Sequence, residues 1–207
     1  MPTVLDLQTW NRKDHFHFFR RFEEPFFGVC VPVNVTQAYH ICKAQGYSFF
    51  LYYLHASLAA ANQTRAFRYR IEGEQVLEYE VIHASPTINR PDGTFGFSYM
   101  DFDPDFETFA VAAAAETERV RHNSGLELTQ SNANVIHYSS LPWLNFTALS
   151  HARSFSFQDC IPKISFGQMT ETEGQKNMPV SIHVHHALAD GSDVALFLEA
   201  FRAALER

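Results

Sequence analysis

The amino-acid sequence predicts a two-layer sandwich of the α/β or α+β class, with helices packed on one face of a large mixed, mainly antiparallel sheet. Short runs in which apolar and small residues alternate, as they do in strands, recur along the chain. They are separated by helical patterns of about 10 to 17 residues. No repeat, low-complexity segment or linker rich in proline and glycine divides the 207 residues. Since a chain of this length can form one core, we expect a single domain over residues 1–207.

Five segments have the composition and end signals of helices. Thr36 and Ser48 have side chains that can cap a helix start, and Gly46 is suited to a helix end. The fourth segment is rich in alanine and begins at an aspartate cap, Asp103 or Asp105. The predicted helices cover residues 9–22, 36–46, 48–62, 105–121 and 192–205.

Eight segments have the alternation expected of strands. Glu72-Gly73-Glu74 predicts a hairpin turn between two of them, and residues 171–174 predict a polar turn before the last one. The predicted strands cover residues 26–35, 67–71, 75–82, 95–102, 135–139, 145–149, 161–170 and 180–186.

Charge and composition narrow the range of partners. The net charge is -7 with the 11 histidines counted as neutral, and no basic run interrupts the sequence. Because negative charge repels a phosphate backbone, nucleic-acid binding is not expected. An anionic cofactor would need a local positive or dipolar patch. The 20 phenylalanines and 8 tyrosines can fill a core or line an apolar ligand pocket, and composition leaves both open.

The compartment is predicted from cysteine usage and the N-terminal residues. Three cysteines are an odd number and share no close ligand spacing, which favours reduced thiols in a cytosol. The first residues do not combine a basic stretch with an apolar core, as a secretory signal does. No run of about 18–20 apolar residues is long enough to span a membrane. We therefore expect a cytoplasmic protein without membrane contact.

The segment from Ser181 to Gly191, SIHVHHALADG, is the strongest candidate for chemistry. A histidine at the end of a strand can project its ring into a cleft, and imidazole has a free pKa of about 6.5, which suits a general base. Asp190 stands where a carboxylate favours a helix start. The structural alternative is that the two histidines only form satisfied hydrogen bonds at a strand edge and that Asp190 is only a helix cap. A metal site on His183 and His185 is disfavoured because no third ligand follows at a suitable spacing, so no metal is expected.

Two further segments accompany that motif. They run from Trp10 to Phe16, WNRKDHF, and from Ser139 to Phe146, SSLPWLNF. With His186-Ala-Leu-Ala-Asp-Gly191 they occur in the order, and near the spacing, of chloramphenicol acetyltransferase signatures. The histidine motif is shared with dihydrolipoamide acyltransferase cores and peptide-synthetase condensation domains, whereas the other two are more selective. The sequence therefore resembles the chloramphenicol acetyltransferase family over nearly the whole chain.

That resemblance implies a fold like that of the coenzyme A-dependent acyltransferases and a homotrimer with active sites at the subunit interfaces. It implies a ternary complex in which His186 removes a proton from the acceptor hydroxyl and Ser139 stabilises the oxyanion. Asp190 would pair with Arg12 to hold the turn that carries the histidine. Ser165 matches a family threonine that organises water and hydroxyls at the site.

The resemblance implies transfer of an acetyl group from acetyl-CoA to a primary hydroxyl of chloramphenicol, and hence antibiotic resistance. Some candidate binding positions match the family and others differ from it. Phe19 replaces a tyrosine that faces the acceptor, and Thr87 and Phe95 match acceptor-pocket positions. Ser48 and Gln168 stand where family members place lysines near the coenzyme A phosphates. Two alternatives are acyl transfer to another hydroxylated metabolite or xenobiotic, and a catalytically weak trimer that binds aromatic ligands.

Overall fold

The computed structural model describes residues 2–126, 133–153 and 159–207, and these ranges contain five α-helices, ten β-strands and one 3-10 turn at Arg65–Arg68. The helices are α1 (Lys13–Phe19), α2 (Thr36–Gln45), α3 (Phe49–Gln63), α4 (Phe106–His122) and α5 (Gly191–Leu205). The strands are β1 (Thr3–Val4), β2 (Phe26–Asn34), β3 (Tyr69–Glu72), β4 (Gln75–Glu78), β5 (His83–Asn89), β6 (Phe95–Phe97), β7 (Val135–Ser140), β8 (Lys163–Phe166), β9 (Thr170–Thr172) and β10 (Gln175–His185). Across these ranges no helix is long and apolar enough to cross a membrane.

A large mixed sheet has the strand order β2-β10-β8-β7-β5-β6, and β9 pairs with the first part of β10. The pairs β5–β7 and β7–β8 are parallel, and the remaining pairs of this sheet are antiparallel. This confirms the predicted mixed, mainly antiparallel sheet. A smaller antiparallel sheet with the order β1-β4-β3 was not predicted.

Helices α3 and α5 cover the apolar face of the large sheet. The Tyr53 ring of α3 lies 4.6 Å from the Phe166 ring of β8, and Phe201 of α5 lies 6.1 Å from the same ring. Ser57 of α3 and Tyr138 of β7 share a hydrogen bond of 3.2 Å. The core therefore lies between these two helices and this sheet face, as the two-layer prediction requires.

Several predicted helix ends are confirmed by their hydrogen bonds. Ser48 accepts from the Leu51 N–H, and Asp105 accepts from the Thr108 N–H. Gly46 ends α2 in the left-handed region at φ +72°. The cap predicted at Thr36 is wrong, because α2 is preceded by Val35 as its N-cap. The Thr36 hydroxyl instead accepts from the Lys176 N–H at 2.8 Å, and so joins α2 to β10.

Three other element predictions are corrected by the structure. Helix α1 covers only Lys13–Phe19, and residues 145–149 form an irregular segment, not a strand. Strand β5 was missed because its sequence, HASPTIN, contains a proline and few β-branched residues. It forms because both neighbouring strands, β6 and β7, pair with it.

Candidate active site

His186 follows directly after β10, and hydrogen-bond contacts hold both its backbone and its ring. Its N–H donates to the Pro25 carbonyl at 2.8 Å, and its Nδ1 lies 3.2 Å from the Ala189 carbonyl. Because a carbonyl oxygen can only accept, Nδ1 must carry the hydrogen in this contact. In the neutral form of the ring, the lone pair therefore lies at Nε2, as a general base requires.

Two phenylalanine rings hold the imidazole of His186. Phe19 of α1 stacks on it with a centroid distance of 4.0 Å and an interplanar angle of 22°. Phe27 of β2 lies at 4.7 Å, inclined by 51°. Phe19 was predicted as an acceptor-binding residue, and its observed contact is with the histidine itself.

Arg12 connects the start of α1 with the turn after His186. It donates from Nη1 to Asp190 Oδ2 at 2.5 Å and from Nη2 to the carbonyl of His186 at 3.1 Å. Asp190 is also the N-cap of α5, where its Oδ1 accepts from the Ser192 N–H at 2.9 Å. Hydrogen bonds from the Ser192 hydroxyl and from Arg12 hold the pKa of this carboxyl well below its usual range. The structure thus brings three of the predicted residues, Arg12, His186 and Asp190, into one contact network.

Ser139 and Ser165 lie elsewhere, on the sheet face opposite α3 and α5. Ser139 of β7 is paired with Ser165 of β8, which is paired with Ser181 of β10. The three serines form a row across the sheet, because directly paired residues point to the same face. Ser165 is fully buried, and its hydroxyl has no hydrogen-bond partner among the described residues.

The strand register separates His186 from Ser139 within one chain. His186 lies five residues beyond Ser181, which corresponds to about 16 Å along β10. Ser139 lies two strands away from β10, which adds roughly 10 Å across the sheet. Within one chain, the two side chains therefore cannot both contact the same reacting hydroxyl group.

A cavity of about 750 Å³ is lined by residues of α3, α4 and β5 and by Ser140 at the end of β7. The two predicted cofactor residues, Ser48 and Gln168, both line it, and so does Thr87 of β5. Tyr53 and Ser140 also line the cavity and share a hydrogen bond of 2.8 Å. Phe95 of β6 does not line this cavity, and 42% of its surface is exposed.

Sequence analysis missed a second polar row on the serine face. His137, Lys163 and His183 are paired across β7, β8 and β10, two residues before Ser139 and Ser165 and two after Ser181. The Lys163 ammonium donates to Asp159 at 2.5 Å and is buried. The available signal was polar alternation, since residues 181, 183 and 185 share one face of β10. Within the described ranges no group of three or more acidic, histidine or cysteine side chains is placed to hold a metal ion.

Comparison with known proteins shows the family of this chain. A family model for chloramphenicol acetyltransferase matches residues 2–202. The chain belongs to the chloramphenicol acetyltransferase family. It is 29% identical over 198 residues to the chloramphenicol acetyltransferase of Streptomyces acrimycini, covering 94% of this chain and 90% of the relative. As a member of this family, the protein is an acetyltransferase.

Solved structures place this family member among known folds. A chloramphenicol acetyltransferase structure superposes with a TM-score of 0.92 at 30% identity, covering 99% of this chain and 100% of the other. The dihydrolipoamide acetyltransferase of Azotobacter vinelandii gives a TM-score of 0.70 at 15% identity, covering 88% and 82% of the two chains. The second likeness shows a shared fold and confirms the predicted acyltransferase-like architecture.

Proposed function

We propose that this family member transfers the acetyl group of acetyl-CoA to a primary hydroxyl of chloramphenicol and so confers resistance to the drug. Support for the reaction comes from the relatives that carry this name over at least 90% of both chains. The observation that carries the proposal is the orientation of His186. Its Nδ1 is engaged by the Ala189 carbonyl, which leaves the Nε2 lone pair for a substrate proton.

The proposed reaction proceeds in a ternary complex without an acyl-enzyme. Nε2 of His186 takes the proton of the acceptor hydroxyl while the oxygen bonds to the thioester carbonyl carbon. The tetrahedral oxyanion then collapses, the carbon–sulfur bond breaks, and the thiolate takes the proton from the imidazolium. Ser139 donates a hydrogen bond to the oxyanion, an interaction worth about 3 kcal/mol in such sites. Ser165 provides a further hydroxyl close to Ser139 for water or the acceptor.

Arg12 and Asp190 are proposed as positioning residues that take no part in proton transfer. Arg12 holds the carbonyl of His186, and Asp190 holds both Arg12 and the first turn of α5. Together they fix the turn from which the imidazole projects, in the way that a preorganised site requires.

We further propose that the active site is shared between copies in a cytoplasmic homotrimer. Within one chain the register places His186 about 16 Å along the sheet from the row containing Ser139 and Ser165. A base and an oxyanion donor that act on one reaction centre must therefore come from different subunits. The trimer itself is the assembly implied by the family resemblance.

The cavity of about 750 Å³ is the proposed site of acetyl-CoA. Apolar side chains such as Phe49, Phe50 and Met169 line it, together with the polar Ser48 and Gln168. Such a mixture suits the long, mostly uncharged arm that carries the thioester. The cavity reaches Ser140 at the end of β7, so the thioester would have to extend past this strand end to reach the Ser139 hydroxyl on the other face of the sheet.

A second candidate is acetyl transfer to a different hydroxylated metabolite or xenobiotic. The polar row of His137, Lys163 and His183, of which the last two are buried, lies next to Ser139 and Ser165. Polar side chains beside the reaction centre can hydrogen-bond a polar acceptor, so this row favours an acceptor that forms several hydrogen bonds.

The test is a thiol-release assay with acetyl-CoA and chloramphenicol. His186→Ala should abolish release while leaving chloramphenicol binding largely intact, and His15→Ala, at an exposed position of α1, is the matched control. Turnover that persists in His186→Ala would contradict the mechanism. Absence of turnover in the unmodified enzyme would reject chloramphenicol as acceptor, and a panel of primary alcohols would then test the second candidate.

A further inference from the structure

The wall of the cavity formed by α4 carries a pair of opposite charges. Thr117, Glu118 and Arg121 line the cavity from the last turns of this helix. Arg121 is the only cationic residue among the described residues that line it, and Glu118 is the only anionic one. Their side chains form an ion pair, with Arg121 Nη1 donating to Glu118 Oε1 at 2.6 Å.

The thioester substrate brings several negative charges to a protein whose own net charge is -7. Its phosphates need a local cation, since the long-range field of the chain repels them. Ser48 and Gln168 occupy the positions at which family members place lysines, and both are uncharged. Because Ser48, Gln168 and Arg121 line one cavity, the arginine can supply the missing charge from the wall formed by α4.

We propose that Arg121 binds a phosphate group of acetyl-CoA and determines the preference for the phosphorylated thioester, an inference that rests on the proposed function. A guanidinium offers five donors in a planar arrangement that matches phosphate oxygens, which a serine or a glutamine cannot do. Arg121 acts on binding and does not take part in the acetyl transfer step.

The present partner of Arg121 does not prevent this role. The Arg121 side chain is 49% exposed and that of Glu118 is 57% exposed, so their attraction is weakened by solvent. The Arg121 side chain can therefore exchange the Glu118 carboxylate for a phosphate at little cost. Glu118 also repels the phosphates, so it sets an upper limit on the affinity for the cofactor.

The ends of α3 and α4 have opposing effects on a bound phosphate. Helix α3 begins at the cavity and its N-terminal N–H groups favour an anion, whereas α4 ends near the cavity and its C-terminal carbonyl groups disfavour one. Since these influences are of opposite sign, the charge of Arg121 decides the balance.

The experiment compares Arg121→Gln and Glu118→Gln with Arg119→Gln. Arg119 lies on the same helix, pairs with Glu116 and does not line the cavity, which makes it a matched control. Calorimetry gives the Kd for coenzyme A without any acceptor. Steady-state kinetics then give KM and kcat for acetyl-CoA, for acetyl-3′-dephospho-CoA and for acetyl-pantetheine, which lacks all phosphates.

Arg121→Gln should raise Kd and the KM for acetyl-CoA about tenfold with kcat unchanged, the loss expected for a charge-assisted hydrogen bond. Glu118→Gln should lower both constants severalfold. With acetyl-pantetheine, Arg121→Gln and the unmodified enzyme should have the same KM. An effect that disappears with the 3′-dephospho substrate assigns Arg121 to the 3′-phosphate, and one that persists assigns it to the pyrophosphate.

The inference is overturned if Arg121→Gln behaves like Arg119→Gln, or if its effect is equally large with acetyl-pantetheine. In both cases the unmodified enzyme still binds coenzyme A, so the proposed function stands. If the unmodified enzyme binds no coenzyme A, the proposed function fails together with the inference.

Discussion

Arg12 donates to Oδ2 of Asp190, while Oδ1 of the same carboxylate caps helix α5. Because each of the two carboxylate oxygens has a different partner, ion pairing and helix capping can be separated by mutation. The arrangement also joins α1, the turn of His186 and α5, three segments that lie far apart in the sequence.

Asp190→Asn should keep the cap and lose the ion pair with Arg12, whereas Asp190→Ala should lose both. We expect the free energy of unfolding to fall by about 1 kcal/mol in the asparagine variant. It should fall by a further 1 kcal/mol or so in the alanine variant, since it lacks a cap acceptor. Both variants should lose activity, because Arg12 no longer holds the His186 turn. Urea unfolding and thiol release measure the two effects, and equal stabilities of the two variants would contradict the separation.

Phe19→Ala should reduce kcat more than it changes KM. The stacked ring restrains the plane of the His186 imidazole, and a small misplacement of a catalytic group costs on the order of tenfold to a hundredfold in rate. Phe18→Ala is the matched control on the same helix, since Phe18 is 61% exposed and does not stack on the histidine. Equal kinetics for the two variants would show that the stack is dispensable.

A mixture of His186→Ala and Ser139→Ala subunits should be active although each variant alone is inactive or severely impaired. In a closed ring, an interface between the two kinds of subunit can combine an intact histidine with an intact serine. If each site takes one residue from each of two neighbours, random assembly of equal amounts should restore roughly a quarter of the normal activity, and purified hybrid trimers should have about a third. Co-expression with two affinity tags allows hybrid trimers to be purified and assayed. Hybrids no more active than the parents would place both residues in the same chain's site.

Stability should decrease as the pH is lowered from about 6.5 towards 4. Burial lowers the pKa of His137, His151 and His185 to about 4, whereas an unfolded histidine titrates near 6.5. Around His137, Lys163 and Arg70 act in the same direction as burial, and Asp159 opposes them. Between these pH values the unfolded chain binds protons that the folded chain does not, so folding loses free energy as the pH falls.

Each such histidine can contribute up to about 1.4 kcal/mol per pH unit to this dependence. Denaturant unfolding at several pH values measures the slope, and His137→Gln should make it shallower. The same change at the exposed His15 serves as the control. A slope that is unaffected by His137→Gln would contradict the assignment of a neutral buried imidazole.

Gly28→Ala should destabilise the protein by about 1–3 kcal/mol, the usual cost of overfilling a packed site. A Cβ atom added at Gly28 would lie 2.1 Å from the His183 ring on the neighbouring strand. Removing that ring by His183→Ala should make the Gly28→Ala change much less costly. Strictly additive free energies of unfolding in the double variant would show that the two residues do not compete for the same space.

Much of the local structure was predictable because it depends on neighbours in the sequence. The caps at Ser48, Asp105 and Asp190 and the left-handed Gly46 follow from side-chain and backbone preferences within a few residues. Strand β5 was not predictable in this way, since it depends on pairing with β6 and β7. The wrong strand at residues 145–149 has the same origin, because alternation alone does not provide a partner strand.

The sequence by itself determined the family, the identity of the candidate base and the ends of most helices. Only the tertiary structure decided that Phe19 stacks on His186, that Ser139 lies far from that histidine in the same chain, and that Arg121 faces the cavity of Ser48 and Gln168. The physical reason is the range of the interactions. Capping and periodicity act over a few residues, whereas strand register and helix packing bring together residues that are distant in the sequence.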